Sequence, residues 1–176
     1  MDSPLAEPLR HNAWATLRLV EASRALTPEQ LAATVPGTFG NVLATLQHIV
    51  GAEAFYRFLL VGQWPAWRWP PAQPPDLDAL EPMARDCAAF WEVFLARPYD
   101  PDRRVRVPDP RDAEIHDVAL GVILTQVLDH GTDHRSQVST ILTSIGVEPP
   151  RLDGWAYGRA RGRMVTRPHR PADLSS

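Results

Sequence analysis

The chain has 176 residues, 44% of them hydrophobic, and a formal charge of −3, which describes one globular domain large enough to bury a core without covalent staples. All 18 basic residues are arginine, so Schiff-base chemistry and a Walker-type phosphate lysine are excluded; the single Cys87 excludes an internal disulfide and a cysteine-based metal cluster. The negative balance gives no overall attraction to nucleic acid, and no run nears the ~18 to 20 consecutive apolar residues of a membrane span. The start MDSPLAEPLR lacks the charged and apolar regions of a secretory signal, so the expected location is cytoplasmic.

In chain order, the periodicity predicts an all-α protein of four helices joined by proline-rich connections. The first spans about 9–26, with Ala13, Trp14, Leu17 and Val20 as its apolar stripe and Pro28 as its stop. The second spans about 40–60 and is apolar around most of its circumference, through Val42, Leu46, Ile49, Phe55, Phe58 and Leu59, so it should be well buried. Residues 62–76, GQWPAWRWPPAQPPD, form a stiff loop whose Trp64, Trp67 and Trp69 either seal one end of the helices or line a pocket mouth. A third helix, about 78–96, carries Met83, Cys87, Phe90 or Trp91, and Phe94 at three and four spacing, with Pro82 tolerable only near its first turn. Cys87 reads there as a small buried hydrophobe. The segment 97–116 holds too many prolines for a helix; 103–107 alternates like one short strand, and the whole reads as an irregular crossover or small hairpin.

The fourth helix, about 117–145, repeats Leu120, Ile123, Val127, His130, His134, Val138, Ile141 and Ile145 at intervals of three and four. Two histidines thus stand on its apolar stripe. Residues four apart point the same way and can reach one ion, while two unpaired imidazoles on an apolar face would cost about 1–3 kcal/mol each. Catalytic zinc sites take three protein ligands and keep one position open. His48, mid-way along the second helix between the small Ala44 and Ala52, is the candidate third ligand. His11, His116 and His169 read as surface or capping residues. The basic segment 159–170, with five arginines and no acid, reads as a solvated tail after a domain at 1–158; the tail is 159–176.

The stretch LQHIVGAEAFY around His48, followed by HGTDHRSQ with His130, His134, Arg135 and Gln137, then Gly146 and Pro149, resembles the DinB/YfiT-like superfamily of metal-binding four-helix bundles. Asp153, Trp155 and Tyr157 are similar to the usual end of that domain, so the likeness covers about 9–157. Ser136 stands where the commonest motif has glycine. The resemblance implies an up-down-down-up bundle with long crossovers, a site at His48, His130 and His134 for Zn2+, Ni2+ or a similar ion, and a homodimer. It implies further a metal-dependent thiol S-transferase joining a low-molecular-weight thiol, such as bacillithiol or mycothiol, to a small electrophilic substrate. Two alternatives stay open: a hydrolase, with Glu53 or Asp133 as proton acceptor, and a non-catalytic metal-binding stress-response protein. Arg135 is the candidate cofactor-binding residue, through a carboxylate, with an interhelical ion pair as the other reading. Asp129 and Gln126 are weaker candidates to orient the ligand histidines.

Overall fold

The computed structural model describes residues 4–109 and 114–167. Among them are six helices and one two-stranded sheet: α1 (Ala6–Ser23), α2 (Pro28–Leu31), α3 (Val42–Val61), α4 (Leu77–Leu95), β1 (Arg104–Pro108), β2 (Ile115–Ala119), α5 (Leu120–Ser144) and α6 (Gly154–Ala160). The chain is therefore mostly helical rather than all-α. Each of the four predicted helices has a counterpart, with ends moved by local chemistry. α1 stops at Ser23, and Pro28 opens the one-turn α2 instead of closing its predecessor: Thr27 and Gln30 cap each other reciprocally around it. Asn41 and Asp76 accept backbone N–H groups at the starts of α3 and α4. Gly62 closes α3 in the left-handed conformation, at φ 73°, where a side chain would be strained.

Pro82 lies in the second turn of α4, where it deprives Asp78 of the N–H that its carbonyl would accept; Asp78 is exposed, so water can take that role. The segment 97–116 contains β1 and leads into β2, paired antiparallel with Val105 opposite Val118 and Val107 opposite His116. Residues 117–119, expected in the last helix, belong to β2. α5 has no side-chain cap; its first amides donate to the Arg103 and Pro101 carbonyls instead. The hairpin thereby locks onto the helix it precedes.

α1 and α3 each pack against both α4 and α5. One apolar cluster takes Leu9, Tyr56, Leu60, Trp91, Leu124 and Val127, and another takes Leu19, Leu46, Val50, Leu80, Val138 and Ile141. α1 and α5 pass from the first cluster to the second, while α3 and α4 pass from the second to the first. The buried face of α1 runs through Leu9, Asn12, Thr16 and Leu19, one position round from the stripe read through Ala13 and Leu17, which are half-buried.

Between the clusters lies a buried polar layer that joins all four long helices. Asn12 of α1 donates to Glu53 of α3 at 2.9 Å and accepts from Arg135 of α5 at 2.7 Å. Trp91 of α4 donates to the other Glu53 oxygen at 2.6 Å, and Thr16 accepts from Arg135 at 3.0 Å. Burial pushes the Glu53 carboxyl above its ordinary range, opposed by Trp91, Asn12 and the Arg135 charge; burial also lowers Arg135, to about 10, where it remains a cation at neutral pH. Gly131 admits the contact, since a Cβ there would overlap the Asn12 carboxamide oxygen and the Arg135 guanidinium. Asn12→Leu takes one hydrogen bond from each of the buried Glu53 and Arg135, leaving Glu53 with Trp91 and Arg135 with Thr16 and Thr132, and should lower stability by about 2 kcal/mol or more. Glu92→Ala, which removes exposed ion pairs, should cost under about 1 kcal/mol. Urea denaturation of both variants measures the difference.

Candidate metal centre

His48 on α3 faces His130 and His134 on α5, and all three side chains are half-buried. The two α5 residues sit one turn apart on the stripe, and packing of α3 against α5 delivers the third ring. Ring centroids are 4.8 Å apart for His48 and His130, 4.6 Å for His48 and His134, and 4.4 Å for His130 and His134. One ligand nitrogen from each lies within 4.8 Å of the others, so the three could hold a metal ion. The His48 and His130 Nε2 atoms are 2.9 Å apart. Nitrogens around a tetrahedral zinc stand about 3.3 Å apart, inside that range. Three neutral imidazoles suit a borderline divalent ion.

The surroundings set the tautomer. His134 Nδ1 lies 3.2 Å from Gln137 Oε1; donating there leaves its Nε2 with a free lone pair. Gln137 cannot turn its amide round, because the same Oε1 accepts the Phe39 backbone N–H at 2.8 Å while Nε2 donates to Asp133 at 2.9 Å. Asp133 thus acts on His134 through Gln137. Phe39 stacks on His48 at 3.9 Å and meets His134 edge-on at 5.4 Å. Neither Phe39 nor the role of Gln137 was legible from periodicity, since Phe39 precedes α3 and Gln137 only repeats a motif letter.

The DinB family model matches residues 1–167. The chain belongs to the DinB family. No curated protein matches it.

In this DinB-family protein the histidine cluster opens onto a cavity of about 910 Å³ between α3, α5, the hairpin and the proline-rich loop. His48 and His130 line it, as do Phe55, Trp69, Val118 and Ile123. Both readings of the tryptophans hold in part. Trp69 walls the cavity and stacks on Trp67, which donates to Asp86 at 2.8 Å; Trp64 stacks on Phe58 under the Arg68 guanidinium. The Trp69 ring lies against Gly51 of α3, where a Cβ would stand 3.4 Å from it, in ordinary contact.

Of the remaining candidates, Gln126 alone among those described lines the cavity. Arg135 is buried and spends its guanidinium on Asn12, Thr16 and Thr132, away from the cavity lining. Glu53 is buried between helices, both oxygens bonded. Gln126 lines the cavity and hydrogen-bonds Tyr56; Asp129 is exposed. Cys87 is buried, and burial raises its thiol well above the ordinary value. His116 is exposed on β2, as expected. His11 is not a surface residue: it is half-buried, with Nε2 2.7 Å from the Leu152 carbonyl and its ring against Trp14 and Tyr157. His169 lies outside the described residues.

Burial, then the neighbouring His134 and His48, hold His130 down at about 4, and burial and His134 lower His48 in the same direction. A neutral ring is the form that ligates. The unfolded chain takes up these protons near pH 6.5 and the fold resists them, so this contribution is present above pH 6.5 and is lost as pH falls toward 4. In chelator, urea midpoints should therefore drop between pH 7 and pH 5. The drop should be shallower in His130→Ala.

Proposed function

We propose that this protein holds a divalent ion, Zn2+ or Ni2+, on His48, His130 and His134, and acts as a metal-dependent thiol S-transferase. The observation that carries the reading is the convergence of three imidazoles at the wall of a large cavity. A purely structural site closes its coordination with a fourth protein ligand; among the described residues no carboxylate or thiol joins the three rings. When bound, such an ion supplies Lewis acidity that favours the deprotonated form of a coordinating thiol. In the reaction a sulfur–carbon bond forms, the leaving group departs with its bonding pair, and the thiol proton passes to solvent.

The chain's own residues hold the geometry. Gln137 fixes the His134 tautomer, Phe39 covers His48 on one face, and the apolar wall excludes water from the reacting carbon. A hydrolase would need a carboxylate facing the site; the described lining offers none, and this supports a thiol over water as nucleophile. The direction of the chain through the two apolar clusters supports an up-down-down-up four-helix bundle. We propose further a single domain at 1–158 with a basic tail at 159–176, its first residues tied back where Arg163 donates to Glu7 at 3.0 Å. Family membership supports the homodimer, the composition of the first ten residues supports the cytoplasmic location, and the interhelical bonds of Arg135 support a structural role for it over a cofactor contact. No helix among the described residues is long and apolar enough to cross a membrane.

His48→Ala, His130→Ala and His134→Ala should each lower bound metal measured by elemental analysis, while His116→Ala should not; unchanged stoichiometry in all three histidine variants removes the site. Gln137→Ala should weaken metal affinity by about 10- to 100-fold in a competition titration. Metal-loaded protein should conjugate an electrophile with bacillithiol, mycothiol or glutathione and lose that activity on chelation.

A further inference from the structure

The cavity beside the histidines has a chemistry of its own. Its volume, about 910 Å³, lies near the top of the ~300–1,000 Å³ range of small-molecule sites. Among the described residues, no arginine, aspartate or glutamate lines it. Of its polar groups, Gln47 donates to the Pro75 carbonyl at 2.7 Å, and Tyr56 lies within hydrogen-bonding reach of Gln126. What remains is an apolar hollow with Ile123 and Tyr56 buried at its floor, walled by Phe55, Trp69 and prolines 71 and 74.

We infer that this cavity takes an uncharged, largely apolar small molecule, which is the electrophilic substrate, and that the thiol's polar body lies outside it. The assignment of that molecule as substrate rests on the transferase reading; the chemistry of the cavity does not. A carboxylate or polyhydroxylated body entering here would lose its hydration with no cation and few free donors to replace it. An apolar body gains the area it removes from water, about 25 cal/mol per Å², and meets stiff aromatic and proline walls that lose little freedom on contact. His48 and His130 stand at one wall, so a molecule held here has its near end beside the proposed ion.

The full chain, in chelator, is titrated with the neutral fluorophore N-phenyl-1-naphthylamine and with the sulfonated 8-anilinonaphthalene-1-sulfonate. The neutral dye should bind with blue-shifted emission and at least about tenfold more tightly than the anion. Ala52→Trp, which fills the hollow one turn beyond His48, should weaken the neutral dye by about tenfold or more, and Glu92→Ala, outside the lining, should leave its affinity within about twofold. Gly51→Leu, which presses on Trp69, makes the same test should Ala52→Trp lose its helical circular dichroism. Equal affinity for the two dyes, or neutral-dye binding unchanged in folded Ala52→Trp or Gly51→Leu, overturns the inference. Neutral-dye binding that persists in a protein binding no metal supports it while removing only the metal reading.

Discussion

The fold turns on Asn12. Its carboxamide stands between a buried carboxylate and a buried guanidinium, offering a donor to Glu53 and an acceptor to Arg135. A buried ion left unpaired is far more costly than a buried pair with its hydrogen bonds satisfied. The four long helices therefore have one favourable register, the one that brings α1 between the two charges and Trp91 onto the remaining oxygen. Apolar clusters above and below this layer tolerate sliding; a bidirectional hydrogen bond does not. Gly131 leaves room for that contact, since a Cβ there would overlap Asn12 and Arg135.

That register also positions the histidines. Glu53 follows His48 by five residues on α3, and Arg135 follows His134 directly on α5, so the polar layer and the imidazole cluster are successive levels of the same pair of helices. Fixing one fixes the other. The cluster itself is soft by comparison, with a short contact between His48 and His130 and wider ones elsewhere. Orientation is supplied from outside, by Gln137 and the backbone of Phe39. The cluster carries no net charge in its neutral form, and among the described residues the cavity it opens on is lined by no charged side chain either.

Much of this was legible in the sequence, for reasons that can be named. His130 and His134 stood out because they interrupt a stripe of aliphatic residues at helical spacing, and His48 because small residues flank it and a family motif contains it. The same spacing marks Asn12 and Thr16 between Leu9 and Leu19, yet neither stood out, because the neighbouring Ala13, Trp14 and Leu17 offered a more apolar stripe. The partners of Asn12 lie 41 and 123 positions away along the chain and that of Thr16 lies 119 away, pairings that no local window contains. α2 and α6 span 4 and 7 residues, too few to establish a period. The last three residues of β2, 117–119, were read into the following helix because three residues are too few to show an alternation of their own. Phe39 was invisible for the opposite reason, since it lies outside any element.

The loop from Gly62 to Asp76 gives the cavity a property that volume alone does not describe. A hollow lined by leucines on mobile helices tends to shrink until its walls touch. Here one wall is built from pyrrolidine rings, whose backbone torsion is set by covalent bonds and stays the same whether or not anything lies against them. The opening persists because its frame has few other shapes to adopt. Recognition at such a surface is selection by fit: a molecule of the wrong outline finds no loop able to mould itself around the mismatch.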